Sequence, residues 1–182
     1  MKLNLIFDVI EGSLYSVQYQ GQITHELARC MQLWNDPLYL REYFNEHKAD
    51  LNRAYWRGIS IDEAIRKTRN HAIQLEEELL HLAKLGEFDK QENLSKIFEP
   101  LTKNNFEEFE RDKVKPDEHP SWIRIYAIRL GRNLFVISGG AIKLTHRMEP
   151  PHLKQEIKKL NYVRSYLMNE ENPNLEFVEI YK

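Results

Sequence analysis

The sequence predicts an α+β protein, a small antiparallel sheet carrying a large helical insertion, in a single domain over residues 1–182. Three observations predict it. Short alternating or apolar runs stand at both ends of the chain, an unbroken helical stripe occupies the middle, and no period of 20–50 residues recurs. The division is into a helical part, 23–110, and a β-rich basic part, 120–181. The polar joint Arg111–Ser121, with Pro116 and Pro120, separates them.

In chain order, Leu3–Val9 and Leu14–Gln18 read as a strand pair around the turn Glu11-Gly12-Ser13. A first helix follows Thr24, with Leu27, Met31 and Trp34 on one side. Asp36 suits an N-cap and Pro37 the first helical position after it. Leu40, Phe44, His47 and Leu51 continue the stripe.

Ser60-Ile61-Asp62-Glu63 is a capping box that opens the longest helix. Ile61, Ile65, Thr68, Ala72, Leu75, Leu79 and Leu82 follow at spacings of four and three, and Gly86 offers a left-handed stop. Such a stripe is usually an internal core face, and it also suits self-association through the 61–85 helix. Glu76-Glu77-Glu78 reads as a solvated face, and Phe98, Leu101, Phe106 and Phe109 as packing residues of short helices.

In the β-rich part, alternation puts Ile123, Ile125 and Ala127 on one face of a strand and Trp122, Arg124 and Tyr126 on the other. Gly131-Arg132 supplies a turn. Leu134–Ile137 then runs apolar, as a strand buried on both faces does. Ser138-Gly139-Gly140 makes either a bulge or a tight reversal. Beyond it Ile142 and Leu144 face one way, and Lys143, Thr145 and Arg147 the other. A helix starts near Pro151 and buries Leu153, Ile157, Leu160, Val163 and Leu167. Lys154 and Lys158 stand on its exposed side, with Lys159 and Arg164 nearby. Leu175–Tyr181 reads as an edge strand.

Charge points the same way as this alternation. Net charge is −2, yet Arg111–Arg164 holds 12 Lys/Arg against 5 Asp/Glu, whereas residues 1–100 hold 12 against 16. If Arg124, Tyr126, Lys143 and Arg147 converge on one open face, cations there would hold phosphate oxygens, and Tyr126 or Trp122 would stack on a base. Other function classes recede. Gly139-Gly140-Ala141-Ile142-Lys143 lacks the spacing of a phosphate-binding loop. Asp117-Glu118-His119, His146 and His152 make no recognisable metal set, so no metal or cofactor is expected. The lone Cys30 excludes an internal disulfide and fits a reducing compartment. No segment approaches a membrane span or a secretory signal, so a cytoplasmic chain is expected.

The order of elements from Arg124 to Leu167 resembles the RelE/ParE superfamily of toxin–antitoxin ribonucleases, in particular its HigB-like, phage-derived host-killing branch. The matching positions are Arg124, Tyr126, the strand Leu134–Ile137, Lys143, Thr145, Pro150 and the helix through Leu167. The match spans about a quarter of the chain. Residues 37–120 have no counterpart in such toxins, and Leu144 stands where that branch often has a second lysine.

The resemblance implies a RelE-like strand–strand–helix unit and an endoribonuclease that cleaves mRNA, commonly on the ribosome, without a metal. A ribose 2′-hydroxyl would attack the adjacent phosphate. Lys143 and Arg124 would stabilise charge, with His146 or Tyr126 moving the proton. Trp122, Arg129, Arg132, Arg147, Lys154 and Lys158 would hold RNA, and an antitoxin protein would be a partner. The alternative is a catalytically inactive RelE-like module that binds RNA or protein.

Overall fold

The structure is a computed structural model and describes residues 2–53, 56, 58–100, 121–145, 150–168 and 176–181. The expected N-terminal strand pair is present as β1 (Leu3–Ile10) and β2 (Leu14–Tyr19), turned at Gly12 with a φ of 72°. Four helices follow: α1 (Glu26–Asn35), α2 (Pro37–Glu46), the short α3 (Lys48–Leu51) and α4 (Ile61–Leu85). A 3-10 turn at Leu94–Lys96 leads into the two-residue β3 (Glu99–Pro100). The hairpin β4 (Ile123–Gly131) and β5 (Leu134–Ile142) precedes α5 (Pro151–Leu167) and β6 (Glu176–Tyr181). The class is α+β.

Local chemistry sets the helix starts. The carboxylate of Asp36 accepts from the backbone N–H of Leu38 and Tyr39, with Pro37 opening α2. The capping box of α4 is complete: Ser60 Oγ accepts from Glu63 N–H while Glu63 accepts from Ser60 N–H. The stop differs from expectation. Gly86 is right-handed (φ −62°), and its N–H reaches Leu82 and Lys84 carbonyls, so the helix ends in a tightened turn.

The sheet order is β1-β2-β5-β4-β6-β3, and it is mixed rather than antiparallel. β4 pairs antiparallel with β5 and β6, whereas β2 and β5 are parallel. The helices after β2 make that possible by carrying the chain across before β5. The strand expected at an edge, β6, lies between β4 and the short β3. Of the four expected packing residues after α4, Phe98 is buried beside Phe135, while Leu101, Phe106 and Phe109 lie outside the described residues.

Two buried layers flank the sheet. On one face α1, α2 and α4 bring Leu27, Trp34, Phe44 and Leu75 against Leu14, Ile125, Phe135 and Ile137. The α4 stripe is therefore an internal face among the described residues. On the other face α5 brings Leu153, Leu160 and Val163 against Val17, Tyr126, Ile128 and Val136.

Ser138-Gly139-Gly140 is a bulge. Tyr126 pairs with Gly139 and Ala127 with Ile137, so Ser138 has no opposite number and β5 runs on to Ile142. The extra residue inverts the alternation. Phe135 and Ile137 face the α1 side, but beyond the bulge Ile142 does so while Ala141 faces α5. No helix among the described residues is long and apolar enough to cross a membrane.

Candidate functional site

The side chains expected to form an open cationic face are mostly inside. Arg124 is 1% exposed, and its Nη1 donates to the carbonyls of Ser121 (2.6 Å) and Ile123 (2.8 Å). Tyr126 is fully buried under α5, and Lys143 is 3% exposed. Trp122 precedes β4, so strand alternation does not govern it. It packs edge-on to Phe44 and Trp56, with its indole donating to Thr68 Oγ1 at 2.8 Å.

Arg129 is half-buried, donating to the Phe98 carbonyl with its guanidinium over Phe135. Arg132, Lys154 and Lys158 are exposed as expected, but on separate elements: the β4–β5 turn and the outer side of α5. His146, Arg147 and His119 lie outside the described residues. Strand alternation does point Arg124 and Tyr126 away from the α1–α4 helices. It cannot reveal that a second layer, α5, covers that face as well.

A different site lies on the opposite flank of β5. The parallel pairing of β2 with β5 lasts three residues, Leu14–Ser16 against Phe135–Ile137. Beyond it β2 continues to Tyr19 and β5 to Ile142 without pairing to each other. Tyr19 spans the split, its hydroxyl donating to the Ser138 carbonyl at 2.8 Å.

The helices that follow the two strands leave to opposite faces, α1 to one and α5 to the other. Adjacent parallel strands whose connections diverge in this way open a crevice at their carboxyl ends, the usual place for a ligand in open sheets. Here the crevice is a cavity of about 330 Å³. Its walls include Arg29 and Trp34 from α1, Tyr39 and Tyr43 from α2, Gly140–Ile142 from β5, and Glu156 and Lys159 from α5.

Four charges meet at its base. Lys159 Nζ donates to Glu26 Oε2 and to Glu156 Oε1, both at 2.8 Å, tying α1 to α5 through the split. Arg29 grips Glu26 with Nε at 2.8 Å and Nη2 at 2.9 Å. The other carboxylate oxygen of Glu156, Oε2, is buried with no hydrogen-bond partner among the described residues.

Both glycines are required by this approach. A Cβ on Gly139 would collide with Glu156 Oε2. One on Gly140 would stand 2.8 Å from the Arg124 carbonyl oxygen and 2.9 Å from Cys30 Sγ. Gly139 is thus the backbone that the charged cluster leans on, and Gly140 the backbone that Cys30 and Trp34 of α1 lean on.

The electrostatics separate the two carboxylates. Burial works against ionised Glu26, but the Arg29 hydrogen bonds and the Lys159 charge outweigh it and hold the group below its ordinary range. Burial dominates at Glu156 and pushes it up to about 7, with Lys159 only partly opposing. Lys159 is shifted upward, its two carboxylates overcoming the burial that disfavours its charge. Burial lifts Cys30 to about 12 and Tyr19 higher still, so both stay neutral. One end of the crevice is therefore a carboxyl that gains and loses its proton near neutrality.

The other end is aromatic. The Tyr43 hydroxyl donates to the Ile142 carbonyl at 2.9 Å and sits 3.3 Å from His152 Nε2, while His47 stacks on the Tyr43 ring at 4.2 Å. Burial lowers His152, favouring neutral imidazole. Among the described residues no three His, Cys, Asp or Glu side chains are grouped to hold a metal ion.

The sequence did carry a signal for this site. Glu156 falls inside the apolar stripe Leu153–Leu160–Val163 of α5, three residues after one member and four before the next. Glu26/Arg29 and Glu156/Lys159 repeat one acid–base spacing of three, and Gly139-Gly140 marks a close approach. What sequence could not supply is that the two helices meet. No family model matches the chain, nor does any curated protein or solved structure.

Proposed function

We propose that the chain holds a small polar molecule in the crevice between α1 and α5, and that Glu156 exchanges a proton with it. One observation carries this reading: a parallel strand pair splits, and a buried carboxylate with an unpartnered oxygen lines the resulting cavity. Buried unsatisfied polar atoms are rare in folded proteins, and a carboxyl held near neutral pK is suited to general acid or base work. Arg29 and Lys159 would orient the bound molecule, and Glu26 keeps both cations in place. Arg29 lines the cavity while partly open to solvent, so the site has an entrance.

A nucleic-acid reading has less support than the crevice. Three of them are exposed among the described residues, on two separate elements. The test is a small-fragment screen of the full chain followed by amide NMR. Polar fragments are expected to shift the Gly139, Gly140 and Cys30 resonances. A screen in which hits move only other surfaces would contradict the reading.

A further inference from the structure

Size, wall chemistry and charge together narrow what the crevice can accept. About 330 Å³ is at the lower end of small-molecule sites, enough for one ring with a short polar arm. Trp34, Tyr39 and Tyr43 line the cavity, and such rings favour a planar guest.

The charges are two cations, Arg29 and Lys159, and two carboxylates, Glu26 and Glu156. Glu26 is saturated, accepting from Arg29, Lys159 and Gln22. Arg29 Nη1 makes no hydrogen bond among the described residues, and Lys159 uses two of its three donors there. Donors are therefore available, and the acceptor Glu156 is the one group able to give up its charge.

We propose that the crevice takes a single-ring aromatic anion, its charge on Arg29 and Lys159 and its ring against Trp34 and Tyr39, and that Glu156 takes up a proton as the anion enters. This rests on the reading of the crevice as a small-molecule site. With both carboxylates ionised the cluster is neutral, so an incoming anion would leave an uncompensated buried negative charge, which is costly. Protonation of Glu156 removes it. The groups facing Glu156 are Lys159 on its own helix, Glu26, Arg29 and Cys30 on α1, and Tyr19 on β2. Cys30 and Tyr19 are neutral, and the other three keep fixed charge, so no neighbour can take the proton instead. His152, one turn earlier on α5, has its charged form disfavoured by burial.

The experiment is calorimetric titration of the full chain with benzoate, benzamide and benzylammonium at about pH 6.5 and pH 8, each in two buffers of different ionisation heat. Amide NMR of Gly139 and Gly140 reports occupancy. Benzoate is expected to bind tightest, with uptake approaching one proton at the higher pH, and to weaken up to ~10-fold per pH unit above neutrality. Glu156→Gln should bind benzoate with neither proton uptake nor that pH dependence. Should that variant fail to fold, Arg29→Gln should lose affinity for benzoate and keep it for benzamide. Benzylammonium binding more tightly than benzoate overturns the ligand class, and benzoate binding without proton uptake overturns the role of Glu156. If none of the three moves the glycine amides, the small-molecule reading falls with it.

Discussion

β5 has two long neighbours, and the two seams it makes are opposites. Along β4 the antiparallel ladder runs from Ile123↔Ile142 to Gly131↔Leu134, interrupted at the Ser138 bulge and again between Arg129 and Gly131. That seam lies between the two buried layers, and the guanidinium of Arg124 within it donates to backbone carbonyls. Along β2 the ladder stops after three residues, and what the backbone leaves open is filled by Glu26, Lys159 and Glu156. A strand fully paired turns its polar side chains into structure. A strand half paired leaves room where charge is held ready for something else.

The largest effect that separates the seams is expected from Lys159→Met. Removing the cation leaves Glu26 and Glu156 buried with less compensation, and breaking such a pair costs about 3–5 kcal/mol in urea unfolding. Glu156→Gln should be milder, because the group is already half neutral at neutral pH. If Lys159→Met were tolerated within about 1 kcal/mol, the cluster would not be what joins α1 to α5.

Gly139→Ala comes next. Its methyl would meet the end of the Glu156 side chain, which must swing away. Overpacking of this kind costs about 1–3 kcal/mol, and ligand-induced shifts at Cys30 should disappear with it. Gly140→Ala meets backbone and indole instead and should cost more than Gly139→Ala. Equal costs would argue against the two glycines facing different neighbours.

The pH dependence has a worked sign. The folded-state value of Glu156 is raised above that of an unfolded chain, so the folded protein binds more protons between about 4.5 and about 7. Its contribution to stability is present below the unfolded value and is lost as pH rises through about 7. Glu26 acts oppositely, since its lowered value gives stability present above 4.5 and lost as pH falls. His152 also favours higher pH, so the raw profile mixes signs. The difference between wild type and Glu156→Gln isolates the term. The wild type should lose roughly 2 kcal/mol relative to the variant between pH 5 and 8.

On the closed seam, Trp122→Phe removes the hydrogen bond to Thr68 and should cost about 1–2 kcal/mol while leaving fragment binding in the crevice unchanged. The smallest effect belongs to Lys154→Ala with Lys158→Ala, both on the solvent side of α5. The urea midpoint should not move. Salt-sensitive RNA binding lost in that double variant would instead restore a nucleic-acid role to this helix.

Much of the fold was legible because local chemistry decides it. The caps at Asp36 and Ser60, the α4 stripe and the β4–β5 hairpin each follow from residues within a few positions of one another. The parallel β2–β5 pairing was not legible, since it joins segments more than 100 residues apart with no turn to fix their register. The misreading of Tyr126 has the same root. Alternation tells which face a side chain takes but not how many layers cover that face, and α5 closes it from far along the chain. Even so, the acid inside the α5 stripe and the paired glycines of β5 were visible as violations of their elements' own patterns.

The most direct measurement is a carboxyl-carbon NMR titration of Glu156 in the full chain, with Glu156→Gln identifying the signal. An open seam that stores a proton requires a midpoint at about 7, moving upward when benzoate is added. A midpoint in the ordinary carboxylate range, unmoved by benzoate, would contradict it and reduce the crevice to an accident of strand divergence.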